Sequence, residues 1–249
     1  MDRVTISALH QMKRDGRKIV AVVAWDFQIA QIADRVGVEI VSVGDSVGVN
    51  LWGHADISQV TLEEMLIVCK AVRRGTKRAL VSCDLPASSQ HGPDAAVRAA
   101  SRLVEEAGAD MIKVDRAADF PEMIATILNA GIPVFAEFEL DQETTEMTIS
   151  KLVAAAQRLE AAGACLVDFK RSGPVAGPAV VDAVSIPVLG GLGGGPWLDG
   201  RIRLAHGAIG YAAAALDGHV QSYANVARVT LDALTAYAGD VREGRPLRG

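Results

Sequence analysis

Two kinds of segment alternate along the chain: short unbroken apolar runs rich in Val, Ile and Ala, and longer stretches whose apolar residues recur every three or four positions. The first pattern marks a strand buried on both faces, the second a helix with one buried side. Strands are predicted over residues 18–25, 40–45, 79–84, 111–115, 133–140, 165–170 and 186–191, with 208–213 as the candidate for an eighth. Helices are predicted over 7–14, 27–36, 61–74, 93–107, 119–130 and 145–162, with a helical tail from about 220 to 241. Thr61 with Glu64 three residues on is a capping-box pattern, and Gly37 and Gly163 stand where helices stop.

Strand and helix alternate without a linker or a change of composition, which predicts one parallel α/β domain. Eight strand candidates favour a closed (β/α)8 TIM barrel over an open doubly wound sheet. On this reading residues 1–249 are a single barrel with a short N-terminal helix and a C-terminal helical tail. A chain of 249 residues suits that fold.

Composition narrows the function. Half the residues are hydrophobic, the net charge is −5, and the basic residues are dispersed. Neither nucleic acid nor an anionic membrane is an expected partner. Cys69, Cys83 and Cys165 form no Cys-x-x-Cys pair and fall in predicted core segments, as small buried hydrophobes of a reducing compartment do. The opening Met1-Asp2-Arg3-Val4 lacks the order of a signal peptide, and no apolar run approaches membrane-spanning length; a cytoplasmic protein is expected.

Three successive predicted strands end in an aspartate: Asp45, Asp84 and Asp115. In a (β/α)8 barrel such positions meet at the C-terminal rim, where active sites are built. Three carboxylates there suit Mg²⁺, a hard cation that takes one or two of them directly and fills its octahedron with water and substrate oxygens. A chelated 2-oxo acid would complete the set, and the metal would stabilise an enolate. Side chains two apart on a strand share a face, so Lys113 pairs with Asp115, Glu137 with Glu139, and Asp168 with Lys170. Lys113 is placed to hold the substrate carboxylate or to offset negative charge. The bland alternative makes each Asp a turn former or helix cap. Residues 190–195, five Gly and one Leu, lack the Lys-Ser/Thr of a P-loop and read as a tight barrel loop. His54 and His91 stand alone in polar loops, and there is no Gly-x-Ser-x-Gly elbow.

The same residues carry a family resemblance. Val43-Gly44-Asp45-Ser46-Val47-Gly48, Gly53-His54, Val60-Thr61-Leu62-Glu63-Glu64-Met65, Lys70-Ala71-Val72-Arg73-Arg74-Gly75, Asp84-Leu85-Pro86, Gly131-Ile132-Pro133-Val134 and Asp199-Gly200 resemble the ketopantoate hydroxymethyltransferases of the phosphoenolpyruvate/pyruvate barrel superfamily. The resemblance implies a homo-oligomeric transferase that uses Mg²⁺ to enolise a 2-oxo acid and methylene-tetrahydrofolate as one-carbon co-substrate. It implies metal ligation by Asp45 and Asp84, with Asp115 where the family has Glu, and contact of Ser46, Asp84 and Lys113 with the substrate.

The second half departs from the family. Its histidine position falls on Glu137 and its catalytic glutamate on Lys170, although a one-residue gap would put Asp168 nearer that role. The glycine- and tyrosine-containing loop expected after Leu140 is replaced by a direct run through residues 141–145. Catalysis is therefore assigned to Lys170, Glu137 and Lys113. Lys170 is either a base or imine-forming amine, or a permanent cation paired with Glu137 or Asp168. The expected activity is carbon–carbon bond chemistry on a 2-oxo acid, of hydroxymethyltransferase or aldolase type. The alternatives are a lyase, decarboxylase or mutase of the same superfamily, or a non-catalytic barrel that binds a 2-oxo acid.

Overall fold

A computed structural model describes residues 2–140, 144–218 and 221–246. They fall into two compact units, residues 1–203 and 204–249. The first contains the strands β1 (Ile19–Val23), β2 (Ile40–Val43), β3 (Leu80–Asp84), β4 (Met111–Val114), β5 (Val134–Glu139), β6 (Leu166–Lys170) and β7 (Val188–Leu189), and most of β8 (Gly200–Leu204). It also holds α1 (Ile6–Arg14), α2 (Phe27–Val36), α3 (Leu62–Gly75), α4 (Pro93–Glu105), α5 (Pro121–Asn129), α6 (Glu146–Ala162) and α7 (Ala176–Ala183). The second unit carries α8 (Ala205–Ala208) and α9 (Val226–Arg242). Of the stretch expected to replace the family's loop, residues 141–143 lie outside the described residues, as does Val220 at the start of the predicted tail.

Sheet order is β7-β6-β5-β4-β3-β2-β1-β8, with the pairs from β1 through β7 parallel. The ring is completed where the Asp199 and Ile202 amides donate to the Val188 and Gly190 carbonyls at 2.9 and 3.2 Å. This is a nearly closed (β/α)8 barrel, as the alternation predicted. Every consecutive pair from β1 to β7 is joined through a helix; β7 and β8 are joined by the loop of residues 190–199. The glycine-rich run is a barrel loop, pinned by Lys18 donating to the Pro196 and Leu198 carbonyls at 2.9 and 2.6 Å.

The helix boundaries follow local chemistry. Asp26 caps α2 by accepting from the Ile29 amide at 2.9 Å, and Gly37 ends it with φ 92°. Thr61 and Glu64 form the predicted capping box at the start of α3. Thr145 caps α6, which stops at Gly163 with φ 105°.

One strand is corrected. The eighth strand is Gly200–Leu204, not residues 208–213, which fall across the end of α8 and the turn after it. Gly200-Arg201-Ile202-Arg203-Leu204 alternates, with Gly200 and Ile202 buried and Arg201 exposed, so no apolar run advertises it. Arg201 instead ties the strand to its neighbour's end, donating to the Gly190 and Gly191 carbonyls at 3.1 and 2.8 Å. Helix α7 had no helical signal because Gly177 and Pro178 read as a loop; a proline in the first turn lacks only an N–H that would go unpaired there.

The barrel interior is graded along its axis. At the N-terminal end, Ile19, Ala21, Ile40, Leu80, Met111, Phe135, Leu166, Leu189 and Ile202 form one apolar cluster, plugged from below by Leu9 and Met12 of α1. One layer up, Ser82 donates to Ser42 at 2.7 Å, both buried. Above them come Asp84, Lys113, Glu137 and Asp168, also buried. Two-residue alternation along parallel strands in register produces this order. It places the charges at the C-terminal ends of β3 to β6.

Candidate active site

Lys113 is the centre of the site. Its strand register sets it opposite Asp84, and Glu137 opposite Asp168. The ammonium is 4% exposed as a residue and faces four carboxylates. Glu137 Oε2 is in direct contact, Asp115 Oδ1 lies at 3.1 Å, Asp168 Oδ2 at 3.6 Å and Asp84 Oδ1 at 3.9 Å. Burial alone would favour the neutral amine, but these carboxylates outweigh it and hold the Lys113 pKa well above the ordinary lysine value.

The carboxylates divide by environment. Burial, opposed by Lys113, pushes Asp84 well above the usual range, with Asp45 and Asp115 adding to the rise. Burial likewise pushes Glu137 up to about 7 against the pull of Lys113. Burial also raises Asp45, with help from Asp115. Asp115 is lowered instead, because Lys113 and Lys170 outweigh its burial. Acids of such different proton affinity side by side are what acid–base chemistry requires.

Lys170 enters from β6, half-exposed at the mouth, with Nζ 2.5 Å from Glu137 Oε1. Burial and Lys113 act against its charge; Asp115 and Glu137 prevail, and its pKa is raised. Of the two readings left open by the sequence, the geometry supports the cation paired with Glu137. Asp168 points at Lys113, not at Lys170's place on the rim.

Asp45 and Ser46 come from the turn after β2. The Asp45 amide donates to Asp84 Oδ2 at 3.3 Å, and the Ser46 amide donates to the Asp45 carboxylate. Gly44 makes this close approach possible. A Cβ there would stand 2.8 Å from Val23 Cγ1 and 2.9 Å from Ser46 Oγ. His54, by contrast, pairs with Glu64 at 3.1 Å beside the capping box, a structural role.

No three Asp, Glu, His or Cys side chains among the described residues converge as a ready-made metal cage. The donor set nevertheless fits a magnesium ion, which needs only one or two carboxylates of its own. Asp84 Oδ1 and Asp168 Oδ1 are buried without a hydrogen-bond partner. An orphaned buried carboxylate oxygen is costly unless a cation or donor meets it. Asp84, with Asp45 beside it, is the pair best placed to do so.

Sequence reasoning thus brought Asp45, Ser46, Asp84, Lys113, Asp115, Glu137 and Lys170 to one rim, where the structure also finds them. It missed the Ser42–Ser82 hydrogen bond beneath them, although two serines in otherwise apolar strands were a visible signal. It also missed that Arg116 and Arg171 take left-handed backbone, with φ 52° and 51°, directly after Asp115 and Lys170. Nothing in the sequence marks that conformation.

A parallel barrel with lysines and carboxylates gathered at the C-terminal ends of β3 to β6 defines a (β/α)8-barrel enzyme class. Within it, the chain belongs to the ketopantoate hydroxymethyltransferase family, a family of transferases, whose model matches residues 3–246. It is 32% identical to the 3-methyl-2-oxobutanoate hydroxymethyltransferase of Chloroflexus aurantiacus over 97% of this chain and 90% of that protein. With the enzyme of the same name from a Cyanothece species it shares 35% identity over 96% of each. The fold is also that of 2,3-dimethylmalate lyase, a member of the PEP mutase/isocitrate lyase superfamily (TM-score 0.66, 18% identity, 85% of this chain and 84% of that one). Phosphonopyruvate hydrolase in complex with oxalate and Mg²⁺ is similarly related (TM-score 0.65, 16% identity, 97% and 88%). Membership of the family supports carbon–carbon chemistry on a 2-oxo acid. No described helix is long and apolar enough to cross a membrane.

Proposed function

We propose that this protein transfers a hydroxymethyl group to a branched 2-oxo acid, taking the one-carbon unit from methylene-tetrahydrofolate and using Mg²⁺. The observation that carries the proposal is the buried Lys113 ammonium among Asp84, Asp115, Glu137 and Asp168, with an Asp84 oxygen beside it that accepts no hydrogen bond. Asp45 and Asp84, with Asp115 across the mouth, would hold the metal. When bound, the ion supplies Lewis-acid stabilisation of the charge that develops on the 2-oxo oxygen.

The chain's own residues do the rest. Lys113 offers a fixed cation to the substrate carboxylate, with Ser46 as a neighbouring hydroxyl. Glu137, with its affinity for a proton near neutrality, takes the proton from the carbon next to the carbonyl. Lys170 orients Glu137 from the mouth side and keeps its carboxylate aimed inward. The apolar layer below closes the barrel floor to water.

Assembly into a homo-oligomer fits α9, whose Val229, Leu234, Tyr237 and Val241 are exposed. The three buried free cysteines fit the reducing cytoplasm. A second reading, cleavage of a carbon–carbon bond through the same enolate, is favoured by Lys170 and Glu137 standing where the family has glutamate and histidine.

The test follows the C3 proton of 3-methyl-2-oxobutanoate by NMR in D₂O with Mg²⁺, first alone and then with methylene-tetrahydrofolate. Exchange followed by the hydroxymethylated product is expected. Exchange without product would transfer the assignment to the cleavage reading, and no exchange would remove both.

A further inference from the structure

Asp168 has no part in the roles given to Lys113 and Glu137, yet at 2% exposure it is the most buried charged residue of the barrel mouth. It lies on β6, in register with Glu137 on β5 and Leu189 on β7. Its Oδ2 faces the Lys113 ammonium at 3.6 Å, beyond hydrogen-bond length. Its Oδ1 is buried and accepts no hydrogen bond. Lys113 donates to Glu137 and Asp115. Lys170, two residues further along the same face of β6, pairs with Glu137. A carboxylate oxygen withdrawn from water and left without a donor is unfavourable, and a ligand that brings the donor removes the penalty.

The order of groups around the rim indicates which ligand atom that is. Lys113 on β4 is the cation for the substrate carboxylate, C1, and Glu137 on β5 faces the proton on C3. Asp168 follows on the next strand, about 4.8 Å further round. A ligand laid in that order from β4 to β5 brings its C4 to β6. Beyond Asp168 the wall changes character: β7 offers Leu189 and then Gly190 and Gly191, which carry no side chains. Asp168 therefore stands at the border between the charged strands β3 to β6 and an apolar side.

We propose that Asp168 accepts a hydrogen bond from a hydroxyl on C4 of the ligand, so that the site distinguishes 4-hydroxy-2-oxo acids from their unhydroxylated counterparts; this rests on the 2-oxo acid reading above. The hydroxymethylated product carries such a hydroxyl, and the alkyl 2-oxo acid does not. Discrimination of this kind is strong, because the ligand without the hydroxyl leaves the buried oxygen unpaired.

The probes are 3,3-dimethyl-2-oxobutanoate and its 4-hydroxy derivative, which differ by one oxygen and have no C3 hydrogen. Each is titrated with Mg²⁺ against the full-length protein, Asp168→Val and Asp168→Asn by ligand-observed NMR, which also registers any turnover. The native protein should favour the hydroxylated acid by about tenfold or more. In Asp168→Val the two affinities should become equal. Asp168→Asn, which keeps the shape and a neutral acceptor, should fall between. A merely structural role would change both affinities alike; only a group that meets the hydroxyl changes their ratio. Thermal melts verify that the variants fold, and Asp168→Asn carries the comparison if Asp168→Val does not. Equal affinities in the native protein, as a water held permanently on Asp168 would give, overturn the proposal, and so does a preference undiminished in the variants. In either case the 2-oxo acid reading stands and only the role of Asp168 is lost. If neither acid binds, that reading falls and the assignment of Asp168 falls with it.

Discussion

Lys170 and Glu137 are bound to each other across the barrel mouth: Nζ stands 2.5 Å from Oε1, while Lys113 holds the other oxygen of the same carboxylate. A carboxylate clamped between two ammonium groups keeps both of them charged. An imine needs a neutral amine, and Lys170 has a raised pKa. Borohydride added with a 2-oxo acid should therefore leave the protein's mass unchanged. A reduced adduct mapped to Lys170 would reinstate the amine as a nucleophile.

Glu137 sets the pH behaviour. Its proton affinity is raised from 4.5 to about 7, mainly by burial. Between those values the folded protein keeps a proton that the unfolded chain has released. Stability from this group is therefore greatest below the unfolded value and declines as pH rises through about 7. Urea unfolding of the metal-free protein across that range should show the decline, and Glu137→Gln should flatten it. In turnover, a rising limb of kcat/KM near neutrality should vanish in the same variant.

Most of the barrel was legible from apolar runs, because strands buried on both faces need continuous Val and Ile. The site was legible for the same reason: Lys113, Glu137 and Asp168 are charges inside such runs, and only a barrel mouth accommodates them. What escaped was anything decided by backbone shape or by partners distant in sequence. Gly200–Leu204 alternates Arg with apolar residues, and Arg201 makes sense only once the Gly190 and Gly191 carbonyls are beside it. The Arg116 and Arg171 conformations belong to turns whose φ values no side-chain pattern encodes.

Asp84 should carry magnesium affinity. With Mg²⁺ at ten times its dissociation constant, the native state gains about 1.4 kcal/mol. For a chain of this size that raises the melting temperature by roughly 3–6 °C. Asp84→Asn should abolish the shift, and chelator should reverse it in the native protein. A shift that survives in the variant would move the ion away from this carboxylate.

Gly200→Ala tests ring closure. A Cβ at Gly200 would stand 2.3 Å from the Ile19 carbonyl oxygen and 2.8 Å from Ile19 Cβ, so β8 must move off β1. Crowding of this kind costs about 1–3 kcal/mol. Denaturant unfolding should show a loss in that range, whereas Gly131→Ala, with open space around the position, should lose stability only through its backbone conformation.

The loop that joins β7 to β8 without a helix has a dynamic consequence. Six of the strand-to-strand links carry a helix that must be peeled away before the strands can part, but this one is closed by the Asp199 and Ile202 amides and two lysine contacts from Lys18. Topologically the barrel is a ribbon with a clasp. Its lowest-energy opening is at that clasp, so the wall beside Leu189 and Ile202 breathes and Asp168, next to Leu189 in register, feels it first, while Lys113 on β4 and Asp84 on β3, at least three strands from the clasp in either direction, stay assembled.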